Sequence, residues 1–459
     1  MTSRILKIVT LALLYAFTGV FAGPGLADGA AKFLGNIPVD GEVPSDFAKY
    51  WNQITSNDEC VWIQIEKNRG EFDFSKCDAI YNWAKQNGVL FKFRTLVWGS
   101  QYPGWIRNLN VEETREAITA WFDAVAEHYP DLEMIDVVAE AGRLSKNKYH
   151  SAFGVDNHLI EALGGDNDGD YKFVTTAFKM ARERWPKAIL IYNDYNTFQW
   201  QRDVGINLIN TIKKNGAPVD GYGMQGHDLM AKGSGPTNCL NINIIKKYLQ
   251  EIIDSTQIPL FITEYDIGTT NDDIQKKCYS EQIPLFMEEK YIAGVTLWGY
   301  IYGKTWIYCS EKDLGCSGII KDGVDRPAMT WLKEYFAEHI ADSKNIWFPT
   351  SDFPGDGPTA IGGKLHLQAK TLQAYDVFDL NGVRLGRLRA YTIDEAVSTL
   401  QNTSDIKVQG VYMLRSVRNG TVKQVRIARY TQILTYSRNK GSVFFAEPYS
   451  GKGNFIKIV

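Results

Sequence analysis

Eight strand-like runs alternating with amphipathic helical stretches, then a Pro/Gly/Asp-rich break, then a block of period-two segments predict an α/β protein. The architecture is a (β/α)8 TIM barrel with a small C-terminal antiparallel β-domain. The strand-like runs cover residues 32–35, 50–55, 89–98, 134–140, 188–195, 221–227, 259–266 and 292–300. Between them, stretches such as 77–86, 111–128, 171–185 and 240–255 return apolar residues every three or four positions, the period of a helix with one buried face. A dinucleotide-binding open sheet would carry a glycine fingerprint after its first strand, and none is found. The expected barrel therefore spans 33–345. A linker is expected over 346–363, where Pro, Gly and Asp cluster without apolar period. Beyond it, 375–382, 406–409, 410–415 and 422–427 alternate apolar and polar residues, with Asn-Gly pairs at Asn381 and Asn419. These are hairpin signals for a β-domain over 364–430. The tail 431–459 has strand-like pieces that fit no pattern.

With 459 residues and 44% hydrophobic content, the chain can bury one large core and a smaller one. A net charge of -3 offers no basic field to nucleic acid and no polybasic anchor for anionic lipid. Arg4 and Lys7, an apolar run over 8–21 and small residues ending at Ala22 read as a secretory signal peptide, residues 1–22, with a second cleavage point at Ala27. The run is shorter than the ~20 residues a span requires, so no membrane span is expected in the mature protein. Export permits disulfides among the six cysteines. Neighbour pairing (60 with 77, 239 with 278, 309 with 316) is the preferred one of the fifteen connectivities that six cysteines allow, since each pair would clip a loop beside a predicted strand.

Two of the strand-like runs carry a glutamate at or near their end: 135–140 at Glu140 and 261–266 at Glu264. Glycoside hydrolysis needs one carboxylic acid to protonate the leaving oxygen and a second carboxylate across the sugar, both on a rigid scaffold. A lone strand-end glutamate is commonly a salt-bridged surface group; two in one chain point to a pair. Trp98, Trp298 and Trp306 each lie beside a predicted strand end, where aromatic faces suit a sugar-binding cleft. Other chemistries find little support. Residues 166–170 (Asp-Asn-Asp-Gly-Asp) resemble the start of a calcium loop, but Tyr171 stands where glycine is needed and no glutamate closes it, so a solvated barrel loop is expected. The six histidines show no paired zinc spacing, and no nucleophile elbow or phosphate loop occurs.

These motifs make the barrel region resemble glycoside hydrolase family 10, the retaining endo-β-1,4-xylanases. Asp136-Val-Val-Ala-Glu140-Ala is similar to the family's Asp-Val-Val-Asn-Glu-Ala, which implies that Glu140 is the acid/base. Ile262-Thr-Glu264-Tyr-Asp266-Ile is similar to Ile-Thr-Glu-Leu-Asp-Ile, which implies that Glu264 is the nucleophile. The resemblance extends to Thr95-Leu-Val-Trp98, to Asn193 and Tyr195 in Tyr192-Asn-Asp-Tyr-Asn196, to Gln225-Gly-His227, and to Trp298 and Trp306, all expected to face substrate. It implies that His227 orients Glu264, and Asp266, two residues on and therefore on the same side of the strand, would tune that histidine. No metal or organic cofactor is implied. The implied partner is xylan or a related plant cell-wall polysaccharide.

The departures from the family pattern lie on the glycone side. Asn57, Asp58 and Val61 stand where a Glu, an Asn and a Lys are expected; Arg94 and Gly99 replace histidines; and Ala139 replaces the asparagine that donates to the 2-hydroxyl of the reacting sugar. Three expectations stay open: a xylanase with a rebuilt glycone side, a glycosidase altered toward decorated xylan or another β-glycan, and a polysaccharide-binding protein with little turnover. The segments 375–382 and 410–415 resemble the short β-domains that end secreted proteins of some fibre-degrading Gram-negative bacteria. They imply either sorting to the cell surface through secretion machinery or carbohydrate binding.

Overall fold

The computed structural model describes residues 25–28, 30, 32–231 and 238–339, together with five C-terminal strands. The expected signal peptide and linker lie outside these residues. Two compact units emerge, the barrel within Ala22–Leu367 and a separate sheet within Gln368–Val459.

The barrel is closed by eight parallel strands in sequential order: β1 (Phe33–Asn36), β2 (Gln53–Thr55), β3 (Leu90–Trp98), β4 (Met134–Ala139), β5 (Ile189–Asp194), β6 (Gly221–Met224), β7 (Leu260–Tyr265) and β8 (Ile292–Leu297). Each falls within one residue of a run read from the sequence, or inside it. Strands β4 to β8 end one to three residues before their runs do, so the last residues of those runs lie past the ladder. Gln225 and His227 follow β6, Asp266 follows β7 and Trp298 follows β8. Register aligns these ends, since Trp98 pairs with Ala139 and Ala139 with Asn193.

The outer layer comprises α1 (Ser75–Asn87), α2 (Val111–His128), α3 (Lys172–Arg184), α4 (Arg202–Lys214), α5 (Ile242–Thr256), α6 (Asp272–Glu288) and α7 (Pro327–His339). Helix α2 shows why the periodicity was legible. Its start is fixed by a capping box in which the Asn110 side chain accepts from the Glu113 N–H and the Glu113 carboxylate accepts from the Asn110 N–H. Its buried face is Thr114, Ala117, Ile118, Trp121, Phe122 and Val125, a three-and-four spacing. The Trp121 indole donates to the Leu96 carbonyl at 2.9 Å, tying the helix to β3.

The disulfides are Cys60–Cys77, Cys239–Cys278 and Cys309–Cys316, with Cα separations of 4.9, 5.2 and 6.0 Å. The neighbour pairing expected from the sequence is the one formed. Cys239–Cys278 spans 39 residues, and in the chain-entropy treatment closing such a loop stabilises the fold by about 4 kcal/mol. The variant Cys239→Ser/Cys278→Ser is expected to lose stability of that order in urea unfolding.

In the second unit, β9 (Gln373–Phe378), β10 (Arg384–Ala390), β11 (Gly410–Ser416), β12 (Val422–Ala428) and β13 (Phe455–Lys457) form an antiparallel sheet ordered β10-β9-β11-β12-β13. Two features differ from the sequence reading. Strand β10 was not expected, and β13 comes from the tail left unassigned. The run 406–409 lies outside the described residues.

Candidate active site

Glu140 sits one residue past β4 in the left-handed region, at φ 58°. That conformation costs a non-glycine residue about 1–3 kcal/mol. It is held from both sides: the Glu140 N–H donates to Asn193 O at 2.8 Å, and its carbonyl accepts from Ser151 N and Ser151 Oγ, each at 3.0 Å. The twist turns the carboxyl toward the barrel mouth. There Oε2 accepts from the Trp98 indole at 2.8 Å and Oε1 from Gln225 Nε2 at 3.1 Å. Burial pushes the Glu140 carboxyl above its usual range, assisted by the nearby Asp194 charge and opposed by Trp98, Arg94 and Gln225.

Glu264, near the end of β7, is 2% exposed. Its Oε1 accepts from Asn193 Nδ2 at 2.9 Å and from Arg94 Nε at 3.2 Å; His227 Nε2 lies 3.3 Å from Oε2. Burial alone would raise its pKa. The positive charges of Arg94, His227 and Lys92 overcome that and hold it down at about 2. Gln225 joins the two carboxylates, since its side chain donates to Glu140 while its carbonyl accepts from the Glu264 N–H at 2.9 Å.

His227 lies between two carboxylates, with Nδ1 2.9 Å from Asp266 Oδ2. Burial lowers its pKa, but Asp266 and Glu264 outweigh burial and raise it to about 10. The ring is therefore an imidazolium at neutral pH. A folded value above the model-peptide 6.5 means that the stabilisation is complete below pH ~6.5 and is lost as pH rises through about 10. The thermal midpoint is expected to fall across that window, and His227→Gln should flatten the fall. Asp266 also accepts from the Trp306 indole at 2.8 Å, and the Trp306 ring meets His227 edge to face. Trp306 stays 55% exposed, whereas Trp298 is 6% exposed.

Arg94 occupies the floor. Its guanidinium lies 4.6 Å from the centre of the Trp98 ring and 4.9 Å from that of Trp298, and Nη1 donates to the Asn57 carbonyl at 3.2 Å. Asn57 thus joins the site through its backbone, and its N–H donates to Glu59. Asp58 is at the exposed rim, where it accepts from Gln101 Nε2 at 3.1 Å. Tyr195 stacks on His150 and donates to the His150 carbonyl; burial and the Glu140 and Asp194 charges push its phenol up to about 12.

The sequence reading left out several buried partners. Lys92 Nζ lies 2.6 Å from Asp136 Oδ2 beneath the site, and Asp194 accepts from the Gly142 and Tyr195 N–H groups beside His150 Nδ1, 2.5 Å away. The signal for the first was present, because Lys92 and Arg94 place two cations on one face of an apolar strand. Gly99 has a steric cause: a Cβ there would meet Phe153 N at 2.6 Å and Ser151 Oγ at 2.7 Å, so the segment that anchors Glu140 fills the space of a side chain. The 166–170 loop is closed by its own backbone, with Asp166 Oδ1 accepting from the Gly169 and Tyr171 N–H groups. Among the described residues, no group of three or more His, Cys, Asp or Glu could hold a metal ion.

A closed parallel barrel with two oppositely tuned carboxylates at its strand ends, on β4 and β7 with β5 and β6 between them, has the layout that retaining glycosidases use. Residues 17–327 match the model of glycosyl hydrolase family 10, and the chain belongs to that family. Over 306 residues it is 38% identical to endo-1,4-beta-xylanase B of Cellvibrio japonicus (strain Ueda107), covering 66% of this chain and 45% of that protein. Over 295 residues it is 27% identical to endo-1,4-beta-xylanase 1 of Humicola insolens, covering 60% of this chain and 65% of that protein. The chain thus spans less than two thirds of either relative's length. A solved xylanase from Paenibacillus barcinonensis, complexed with a conduramine derivative, superimposes with a TM-score of 0.58 at 24% identity, covering 68% of this chain and 98% of that one, a likeness of fold.

Proposed function

We propose that the barrel is a secreted retaining endo-β-1,4-xylanase that cleaves internal bonds of plant xylan by double displacement. Glu264 attacks the anomeric carbon while Glu140 protonates the departing oxygen, leaving a glycosyl ester on Glu264. Glu140 then takes a proton from water, which attacks the same carbon and frees Glu264 with net retention. The supporting observation is the pair of linked carboxylates with opposite tuning, Glu140 raised and Glu264 held at about 2. The names of the relatives supply the substrate class. In this reading His227, Asn193 and Asp266 hold Glu264 ionised and oriented, and Gln225 and Trp98 orient Glu140. Trp298, Trp306 and Tyr195 wall the cleft, while Asn57 and Asp58 edge its glycone end.

The pH profile follows from the signs. The nucleophile must be ionised, so activity falls only as pH drops toward about 2, whereas the acid must be protonated, so activity falls as pH rises through the elevated value of Glu140. Reducing-sugar release from plain and decorated xylans, against a Glu264→Ala control, tests the reading; no release from any substrate would reject it. A second reading, a xylan-binding protein with little turnover, draws on Ala139 and the buried Val61, which offer a sugar no hydrogen bond from their side chains. Binding without release would favour it. Residues 1–22 direct export in either case, and the C-terminal sheet serves cell-surface sorting or carbohydrate binding.

A further inference from the structure

We propose that Arg94 is the hydrogen-bond donor to the 2-hydroxyl of the sugar whose bond is broken, and so determines the selectivity of the site for a hydroxylated glycone. This deepens the xylanase reading and rests on it. The guanidinium donates to the same carboxylate that would attack the anomeric carbon, with Arg94 Nε 3.2 Å from Glu264 Oε1. A carbon brought to bonding distance of that carboxylate carries its neighbouring hydroxyl past the guanidinium.

The other donors touching Glu264 are already engaged. Both N–H groups of the Asn193 amide are used, one on Glu264 and one on Asp136 at 3.4 Å. Both His227 nitrogens face carboxylates, Glu264 and Asp266. On the Glu140 side, the single Trp98 indole N–H and one of the two Gln225 amide N–H groups are turned to that carboxyl. Ala139, aligned with Trp98 and Asn193 at the strand ends, has no polar side-chain atom. Arg94 differs. Of five guanidinium N–H groups, its hydrogen bonds to Glu264 and Asn57 use one on Nε and one on Nη1. The two tryptophan rings on which it stacks fix the plane of the rest. A 2-hydroxyl whose oxygen accepts from this fixed, charged donor has its proton left for Glu264, a hydrogen bond that strengthens as positive charge builds at the anomeric carbon in the transition state.

The test uses the full mature chain and two substrates, an aryl β-xylobioside and its analogue lacking the 2-hydroxyl on the sugar that bears the aryl group. The readout is the ratio of their kcat/KM values, compared between wild type and Arg94 variants so that the intrinsic reactivity of the two glycosides cancels. Arg94→Gln is expected to lower the preference for the hydroxylated substrate at least about tenfold, the scale of a hydrogen bond to a charged group. Arg94→Lys, which keeps the charge but loses the planar fork, should lower it as well, so either variant suffices if the other fails to fold. A structural role alone would slow both substrates equally and leave the ratio unchanged, which would overturn the proposal while the xylanase reading stands. Turnover of neither substrate by the wild type would overturn both.

Discussion

Glu264→Ala is expected to reduce turnover of xylan by at least about 10⁴-fold, about 5 kcal/mol of transition-state stabilisation. The size follows from chemistry that depends on one atom. Without the carboxylate no glycosyl ester forms, and neither Asn193 nor His227 can supply a nucleophile in its place. The deletion also leaves the Arg94 and His227 charges beside a vacated site. Azide is therefore expected to enter from the side Glu264 occupied and give the α-glycosyl azide, a product of inversion detectable by NMR with an activated aryl substrate. Recovery of the β-azide from this variant would move the nucleophile elsewhere.

Glu140→Ala should show a loss that depends on the leaving group. General acid catalysis contributes about 10²–10⁴-fold, and its loss weighs most on poor leaving groups. Hydrolysis of xylan should fall by that amount, while formation of the glycosyl ester from an aryl glycoside with an acidic phenol falls little. The alkaline limb of the profile should vanish with it, because the limb reports the raised Glu140 carboxyl. Azide should now give the β-glycosyl azide, since the ester on Glu264 is intact and the base that activates water is gone. An equal loss on both substrates would place the acid on another group.

The barrel and the glutamate pair were legible for the same reason: both are written in local patterns. Apolar runs and three-and-four spacings survive in any tertiary context, and a glutamate at the end of such a run is placed by the strand itself. Lys92 and Arg94 were readable in part, as cations on the inward face of β3, though their partners were not. The segment 141–170 carries no period, so its contribution, Ser151 holding the twisted Glu140 backbone and His150 beside Asp194, depends on a path that only the folded chain shows. Gly99 is intelligible only once that path is known. Strand β10 escaped for another reason. Val377 pairs with Gly386 and Phe378 with Arg384, so Leu385 is skipped, and this bulge leaves Leu385 and Leu388 three apart and breaks the alternation by which a strand is recognised.

The most direct measurement is the anomeric configuration of the first product, followed by proton NMR as the wild-type chain acts on xylohexaose. Double displacement through Glu264 predicts that the β-anomer appears first and then mutarotates, and that Glu264→Ala yields no signal on the same time scale. The α-anomer appearing first would mean single displacement and remove Glu264 from the role of nucleophile, and no product at all would mean that the barrel does not hydrolyse the chain.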